Sequence, residues 1–327
     1  MYLLKKITLL VALLIPVGAA IAQDAGYSQF YANPLYLNPG FAGTNGQGRV
    51  VVSYRNQWPQ QGTTYVNYSV SFDSYLQKLG GGIGGQVRQG RELNGMVSKT
   101  EFSLYYSYHI KLNPRFFVDM GLETGVAFKK LDYGKLVFPD MINQLTGELY
   151  AGSGEFPENE NLFYPDFGVG VLAQYDSFYG GVSVSHLTQP DESLIVGDSR
   201  GKLPMKVAVH FGAKSYRGHR GLLSRRWTLS PNLVYLQQGH FNQLNLGLYL
   251  LEKWMSAGIW YRQTSGIQPE SIILMLGVMR PTFKIGYSYD ASLSKVSNYS
   301  NSAHEISLIF YTGQKASRRD ALLIPAL

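Results

Sequence analysis

Ser185-His186 and the run Ser302-Ala303-His304-Glu305 carry the residue types of a nucleophile and its base. A hydrolase needs those groups to converge in space, and neighbours one or two apart along a chain do not meet that demand. No Gly-x-Ser-x-Gly occurs to hold a serine on a strand-to-helix elbow. The six histidines show no H-x-x-x-H or comparable metal-ligand spacing. The stretch LGGGIGGQVRQG from Leu79 has the glycines of a phosphate cradle. It lacks the Lys-Ser/Thr and the following helix that would make it one. It reads instead as a glycine-softened strand, at a bend or where something packs closely against it. Asp166-Phe167-Gly168 stands without any other kinase element. These features name no reaction, so no catalytic residue, metal or cofactor is expected.

Basic residues gather where turns are expected: Lys78, Lys111, Arg115, Arg217, Arg220, Arg225, Arg226, Lys253 and Arg280, with Lys315, Arg318 and Arg319 near the end of the chain. They suit ordinary solvated turns and lipid headgroups, or a positive face that docks an acidic partner. The formal charge is +7 and scattered, and an exported chain with no basic cluster is not expected to bind nucleic acid.

Export is read from residues 1–22. Lys5 and Lys6 precede the apolar stretch Ile7–Val17, and Ala20-Ile21-Ala22 offers an A-x-A cleavage site. The chain has no cysteine, hence no lipid-anchor thiol and no disulfides. Stability must then come from a large closed architecture or from a bilayer. With 36 glycines, 24 tyrosines and 16 phenylalanines, the composition suits a protein of many strands, many turns and aromatic belts.

Period-2 alternation recurs along the chain. Val66, Tyr68, Val70 and Phe72 share one face of an extended segment against Asn67, Ser69, Ser71 and Asp73. The same pattern orders 101–111, 116–129, 244–250, 283–289 and 306–310. Fourteen strands are expected, near 48–56, 63–75, 79–90, 98–111, 115–130, 163–176, 178–188, 205–216, 225–237, 241–251, 254–263, 270–280, 282–291 and 303–312. Most match the ~9–11 residues of a tilted membrane-crossing strand. Short connections follow strands 2, 4, 6, 10 and 12, and generally longer polar ones follow odd strands, above all Leu131–Leu162 and Gln189–Pro204. Sorted connections of this kind belong to outer-membrane barrels with periplasmic turns, and an even strand count puts both termini on the periplasmic side. The fold expected is an all-β transmembrane outer-membrane β-barrel of about 14 antiparallel strands. Glu101, His109, Asp119, Glu123, Lys129, Lys284, Asp290 and Glu305 then face the lumen. Trp58, Phe116, Tyr175, Phe178, Tyr179, Trp227 and Trp254 suit interfacial girdles.

Ahead of the first strand, YSQFYANPLYLNPGFAGT (Tyr27–Thr44) places two Asn-Pro pairs among five aromatics. Asn33-Pro34 and Asn38-Pro39 argue against a helix and against a central strand. An extended, twice-turned segment is expected, folded into or across the periplasmic mouth with its aromatics on lumen side chains. The chain thus divides into a signal peptide (1–22), a periplasmic or plug-like segment (23–47), the barrel (48–312) and a periplasmic tail (313–327).

That opening segment, YRNQW (Tyr54–Trp58), GVSVSHLTQP (Gly181–Pro190), Tyr261-Arg262, YSYD (Tyr287–Asp290) and HEISL (His304–Leu308) resemble the PorP/SprF family of type IX secretion and gliding proteins. The terminal LLIPAL departs from the more polar, aromatic-ended tails of that family. The resemblance implies a non-enzymatic outer-membrane barrel without cofactors. Its partners would be the machine's periplasmic ring or translocon, or a large secreted surface adhesin, besides outer-membrane lipid. The alternative is an outer-membrane channel for small solutes. Residues of the matching motifs are candidates for partner contact or a lumen network: Asn33, Pro34, Asn38, Pro39, Arg55, Trp58, His186, Arg262, Asp290, His304 and Glu305. Arg55, Arg262, Asp290 and Glu305 suit such a network, because the first and last strands become neighbours on closure.

Overall fold

The computed structural model describes residues 24, 26–59, 64–143, 145–150, 160–193, 201–213, 228–264, 269–293 and 302–313. The leader read over 1–22, Trp227, the basic residues between 217 and 226 and those beyond 313 lie outside the described residues.

Fourteen strands form one closed antiparallel barrel in sequence order. They are β1 (Gly48–Gln57), β2 (Tyr65–Leu76), β3 (Gly81–Glu92), β4 (Val97–Asn113), β5 (Phe116–Leu131), β6 (Asn161–Tyr175) and β7 (Phe178–Ser185). Then follow β8 (Lys206–Ala213), β9 (Thr228–Gln238), β10 (Phe241–Leu251), β11 (Met255–Thr264), β12 (Pro269–Met279), β13 (Phe283–Ser292) and β14 (Ala303–Thr312). Every strand expected from the alternation is present. β1 closes the barrel against β14 in a register that sets Arg55 opposite Glu305 and Val51 opposite Ile309. Closure leaves no unpaired sheet edge, which is what allows strands to cross a bilayer.

One end carries the tight connections after β2, β4, β6, β10 and β12, and the other carries the 29-residue and 20-residue connections after β5 and β7. The sorting is incomplete. The connection 214–227, after β8, lies on the turn end, and the two-residue turn after β9 lies on the loop end.

The outer wall is apolar. Tyr68, Val70 and Phe72 of β2, Leu104 of β4, Met120 and Leu122 of β5 and Leu276 of β12 all stand exposed. No helix among the described residues is long and apolar enough to cross a membrane. Around the turn end Phe116 meets Tyr175, and Phe178 stacks on Phe211. Trp254 sits there under Arg280, forming part of a girdle. Tyr179 was expected in that girdle and is instead fully buried inside. Alternation puts Phe178 outward, so its neighbour must turn inward.

The inside is filled by the chain's own N-terminal segment. Tyr27, Phe30, Tyr31, Leu35, Leu37, Phe41 and Ala42 are at most 3 % exposed, as are Ser28, Gln29, Asn33 and Asn38. One expectation about this segment needs correction. It is not wholly extended: Pro34 opens a single helical turn, α1 (Pro34–Leu37), and Pro39 opens a 3-10 turn, Pro39–Phe41. Proline needs no N–H partner at the first position of a helical turn, and the asparagines before it stay non-helical. Asn38 then caps the second turn by accepting from the Gly40 N–H at 2.8 Å. The outermost described residues lie at different ends of the barrel. Asp24 lies among loop-end residues, whereas Thr312 ends β14 beside Gly48 at the turn end.

Candidate functional site

The plug is held by one polar wall, one apolar wall and a clasp at each end. On the polar wall, alternation points Arg55 (β1), Arg262 (β11), Asp290 (β13) and Glu305 (β14) inward, and closure brings them together. Arg55 Nη2 lies 2.9 Å from Asp290, and Arg55 Nη1 lies 3.1 Å from Glu305. Arg262 Nη1 lies 2.8 Å from the same Asp290 oxygen. Ser28 of the plug completes the cluster: its hydroxyl accepts from Arg55 at 2.6 Å and from Arg262 at 2.7 Å, and donates to Asp290 at 2.6 Å. Its backbone N–H donates to Glu305 at 2.7 Å, and the Gln29 side-chain amide donates to the Glu305 carbonyl at 2.9 Å. Two guanidinium groups and two carboxylates balance in charge, as buried ions must.

The apolar wall runs from β6 to β12 and adjoins the polar one, Trp260 and Arg262 standing two residues apart on the inward face of β11. Phe30, Tyr31, Leu37 and Phe41 pack on Leu172, Tyr179, Val234, Leu236, Tyr249, Trp260, Ile273 and Met275. Phe30 and Trp260 rings are 5.2 Å apart, and Tyr31 meets Tyr179 edge-on at 5.7 Å. Tyr179 OH also donates to Asn232. The strands make room with glycine. A Cβ on Gly82, in the glycine-rich β3, would lie 2.1 Å from Ala42 O, and one on Gly170 would lie 2.2 Å from Asn38 Oδ1. Close approach of the plug therefore explains Gly82 and Gly84 of that run, whereas a Cβ on Gly81 or Gly85 would meet β4.

At the turn end, Arg49 and Asp73 face each other across β1 and β2 and pair at 2.8 Å with almost no exposure. Asp73 accepts from Gly43 N–H at 2.8 Å, and Arg49 donates to Phe41 O at 3.2 Å. At the loop end, Asp24 lies 2.8 Å from His186 Nε2, 3.2 Å from Lys206 and 3.7 Å from Lys99. His186 Nδ1 lies 2.7 Å from Asp166. Burial alone would favour neutral forms here. Burial of Asp24 is outweighed by His186, Lys206 and Lys99, which hold its carboxyl well below the usual carboxylate range. Burial of His186 is likewise outweighed by Asp24 and Asp166, which raise it to about 9.

The sequence candidates thus fall in several places. Asn33 accepts from Gln86 at 2.8 Å in mid-lumen, and Asn38 donates to the Val171 and Val182 carbonyls. Pro34 and Pro39 start the two turns. Trp58 lies at the loop end, with a left-handed φ of 59°, and its N–H donates to Ser302 O. His186 joins the loop-end clasp. His304 does not join its neighbour Glu305: it lies on the outer wall between Tyr287, at 2.8 Å, and Tyr289. Inward Glu305 forces outward His304. His186, scanned beside Ser185 for chemistry, is occupied at both ring nitrogens by Asp24 and Asp166. Glu101, His109, Asp119, Glu123, Lys129 and Lys284 belong to the inward positions of their strands, and His109 bonds Ala42 O of the plug.

Asp24, Ser28, Gln29, Arg49, Asp73 and Trp260 were not expected at the site. Arg49 shares the face of Arg55 six residues on, so its parity was a usable signal. Asp24 offered none.

A family model for the type IX secretion system membrane protein PorP/SprF matches residues 19–310. The chain belongs to the PorP/SprF family. It is a type IX secretion membrane protein built as an outer-membrane barrel. No curated protein matches the sequence. Among solved structures, the Acinetobacter baumannii outer membrane protein Omp33 aligns over 83 % of this chain and 100 % of its own, at 7 % identity and a TM-score of 0.44. A KdgM porin aligns over 80 % of this chain and 99 % of its own, at 8 % identity and a TM-score of 0.33.

Proposed function

We propose that this PorP/SprF barrel is non-enzymatic and serves type IX secretion by protein–protein contact, in the export or surface attachment of a large adhesin. The observation that carries this reading is the filled lumen. A solute channel needs an open path, and Tyr27–Thr44 occupies it with almost every residue buried. What the molecule offers a partner is its two ends. The turn end, read as periplasmic, presents exposed Lys78, Lys111, Arg115, Lys253 and Arg280. Such a ring of cations suits an acidic face of the machine's periplasmic parts. The loop end, read as extracellular, is where a secreted protein would be met.

Affinity purification of the tagged barrel from mildly solubilised outer membranes tests this, with co-purifying proteins identified by mass spectrometry. Type IX components or one large adhesin are the expected result. Recovery of the barrel alone, together with solute conductance in planar bilayers, would favour the channel instead. Reversing the charge of Lys78, Arg115 and Lys253 together should abolish capture of a periplasmic partner while the barrel still assembles.

A further inference from the structure

We infer that the chain threads its own barrel, so that Asp24 and Gly26 stand at the mouth on the cell exterior while β1 begins and β14 ends on the periplasmic side. The inference rests on the reading that the tight turns are periplasmic. The threading itself rests on contacts at both ends of the segment. Asp24 touches only loop-end elements: His186 directly follows β7, Lys206 is the first residue of β8 and Lys99 is the third of β4. Its N–H donates at 3.0 Å to Gln238, the last residue of β9. Three strands and the residue after a fourth therefore fix this residue at one height.

Further along, each contact lies deeper. Ser28 meets Arg55, the eighth residue of ten in β1. Asn33 meets Ser69 and Gln86 in mid-strand. Asn38 bonds the carbonyls of Val171 and Val182. Gly43 meets Asp73, which pairs with Arg49, the second residue of β1. The segment descends from loop end to turn end, turns at Gly43–Gly48, and the chain climbs back as β1. A ten-residue strand rises about 33 Å, so the whole height of the barrel separates Asp24 from Gly48.

Charge fixes the direction as well. The loop end supplies Lys99, Lys206 and His186 for an anion, whereas at the turn end Arg49 is already matched by Asp73. A reversed segment would bring Asp24 against Asp73. The outer surface offered to a secreted protein thus includes the start of the plug. Beside it opens a cavity of about 400 Å³ lined by Asp24, Trp58, Gln238, Phe241 and Glu270.

The absence of cysteine allows a direct test with single-cysteine variants. Gly26 is exposed, and a Cβ there meets nothing within 4 Å, so Gly26→Cys leaves the plug in place. Leu145→Cys, at a residue 96 % exposed in the connection after β5, reports the loop end, and Lys253→Cys reports the turn end. Each is exposed to a membrane-impermeant maleimide on intact cells and again after the outer membrane is permeabilised. Heat-modifiability on gels confirms folding. The expected result is labelling of Gly26→Cys and Leu145→Cys on intact cells, with Lys253→Cys labelled only after permeabilisation. Gly26→Cys behaving like Lys253→Cys, or labelling only on denaturation, overturns the threading. If Leu145→Cys and Lys253→Cys exchange sides, the assigned orientation fails and the cell-surface placement falls with it. The company Gly26→Cys keeps in that case still tests the threading separately.

Discussion

The two walls of the lumen hold the same plug by different physics. On the polar wall a few directional contacts converge on Ser28 and Gln29 from β1, β11, β13 and β14, and each ion depends on its partners. On the apolar wall Phe30, Tyr31, Leu37 and Phe41 share their burial among many side chains, none indispensable. A buried ion that loses its partner keeps its full desolvation cost, whereas an apolar cluster loses only what was removed and then relaxes around it. The polar wall should therefore fix where the plug sits and the apolar wall should supply much of the stability.

The largest blow to that contrast comes from Arg55→Ala. Among the described residues Glu305 has no other cation within salt-bridge distance. Loss of about 3–5 kcal/mol is expected, the usual result of breaking a buried pair. It would appear as a lower urea midpoint in detergent and as protease cleavage within residues 24–47. Arg55→Lys should restore little of it, because an ammonium cannot reach Asp290, Glu305 and Ser28 with the guanidinium's planar fork. A full rescue by lysine would mean that charge alone holds the plug.

On the other wall, Tyr179→Phe should cost about 1–3 kcal/mol by leaving Asn232 without its donor. The ring stack on Tyr31 should survive, so the plug should stay protected from protease. Ile273→Val should cost only about 0.5–1.5 kcal/mol, with no new cleavage site. Should either change release the plug, the apolar wall positions the segment as well as stabilising it.

The smallest effect belongs to the loop-end clasp and depends on pH. His186 is raised from its ordinary 6.5 to about 9. Its charge therefore contributes stability that is complete below pH 6.5 and is lost as pH rises through 9. Asp24 is shifted the other way, so its contribution persists well into acid. Protection of the Asp24 N–H, which donates to Gln238, should fall above pH 9 in the wild type when measured against its intrinsic exchange rate at each pH. In His186→Gln that protection should be low at every pH, while the Ser28 and Gln29 N–H groups stay protected by Glu305.

How legible was this in the chain? The strands were, since β2 alternates Asn67, Ser69, Ser71 and Asp73 against Val66, Tyr68, Val70 and Phe72 without interruption. The polar wall was too, because an Arg or Asp on an inward-parity position of a barrel strand needs a partner inside. The apolar wall escaped notice. Leu172, Val234, Trp260 and Ile273 sit on strands whose outer faces are also apolar, and a face that packs on a plug cannot be told from one that packs on lipid by its residues alone. Helical turns at Pro34 and Pro39 were missed because proline's exclusion from helices does not extend to their first position.

Sequence by itself determined the number of strands, their parity and hence which charges enter the lumen, because side-chain alternation is a local consequence of extended backbone geometry. The sequence placed the Tyr27–Thr44 aromatics on lumen side chains, and tertiary structure alone decided how deep that segment enters and which wall each side chain meets. Asp24 and His186 are 162 positions apart, and only closure of the barrel sets them 2.8 Å from each other.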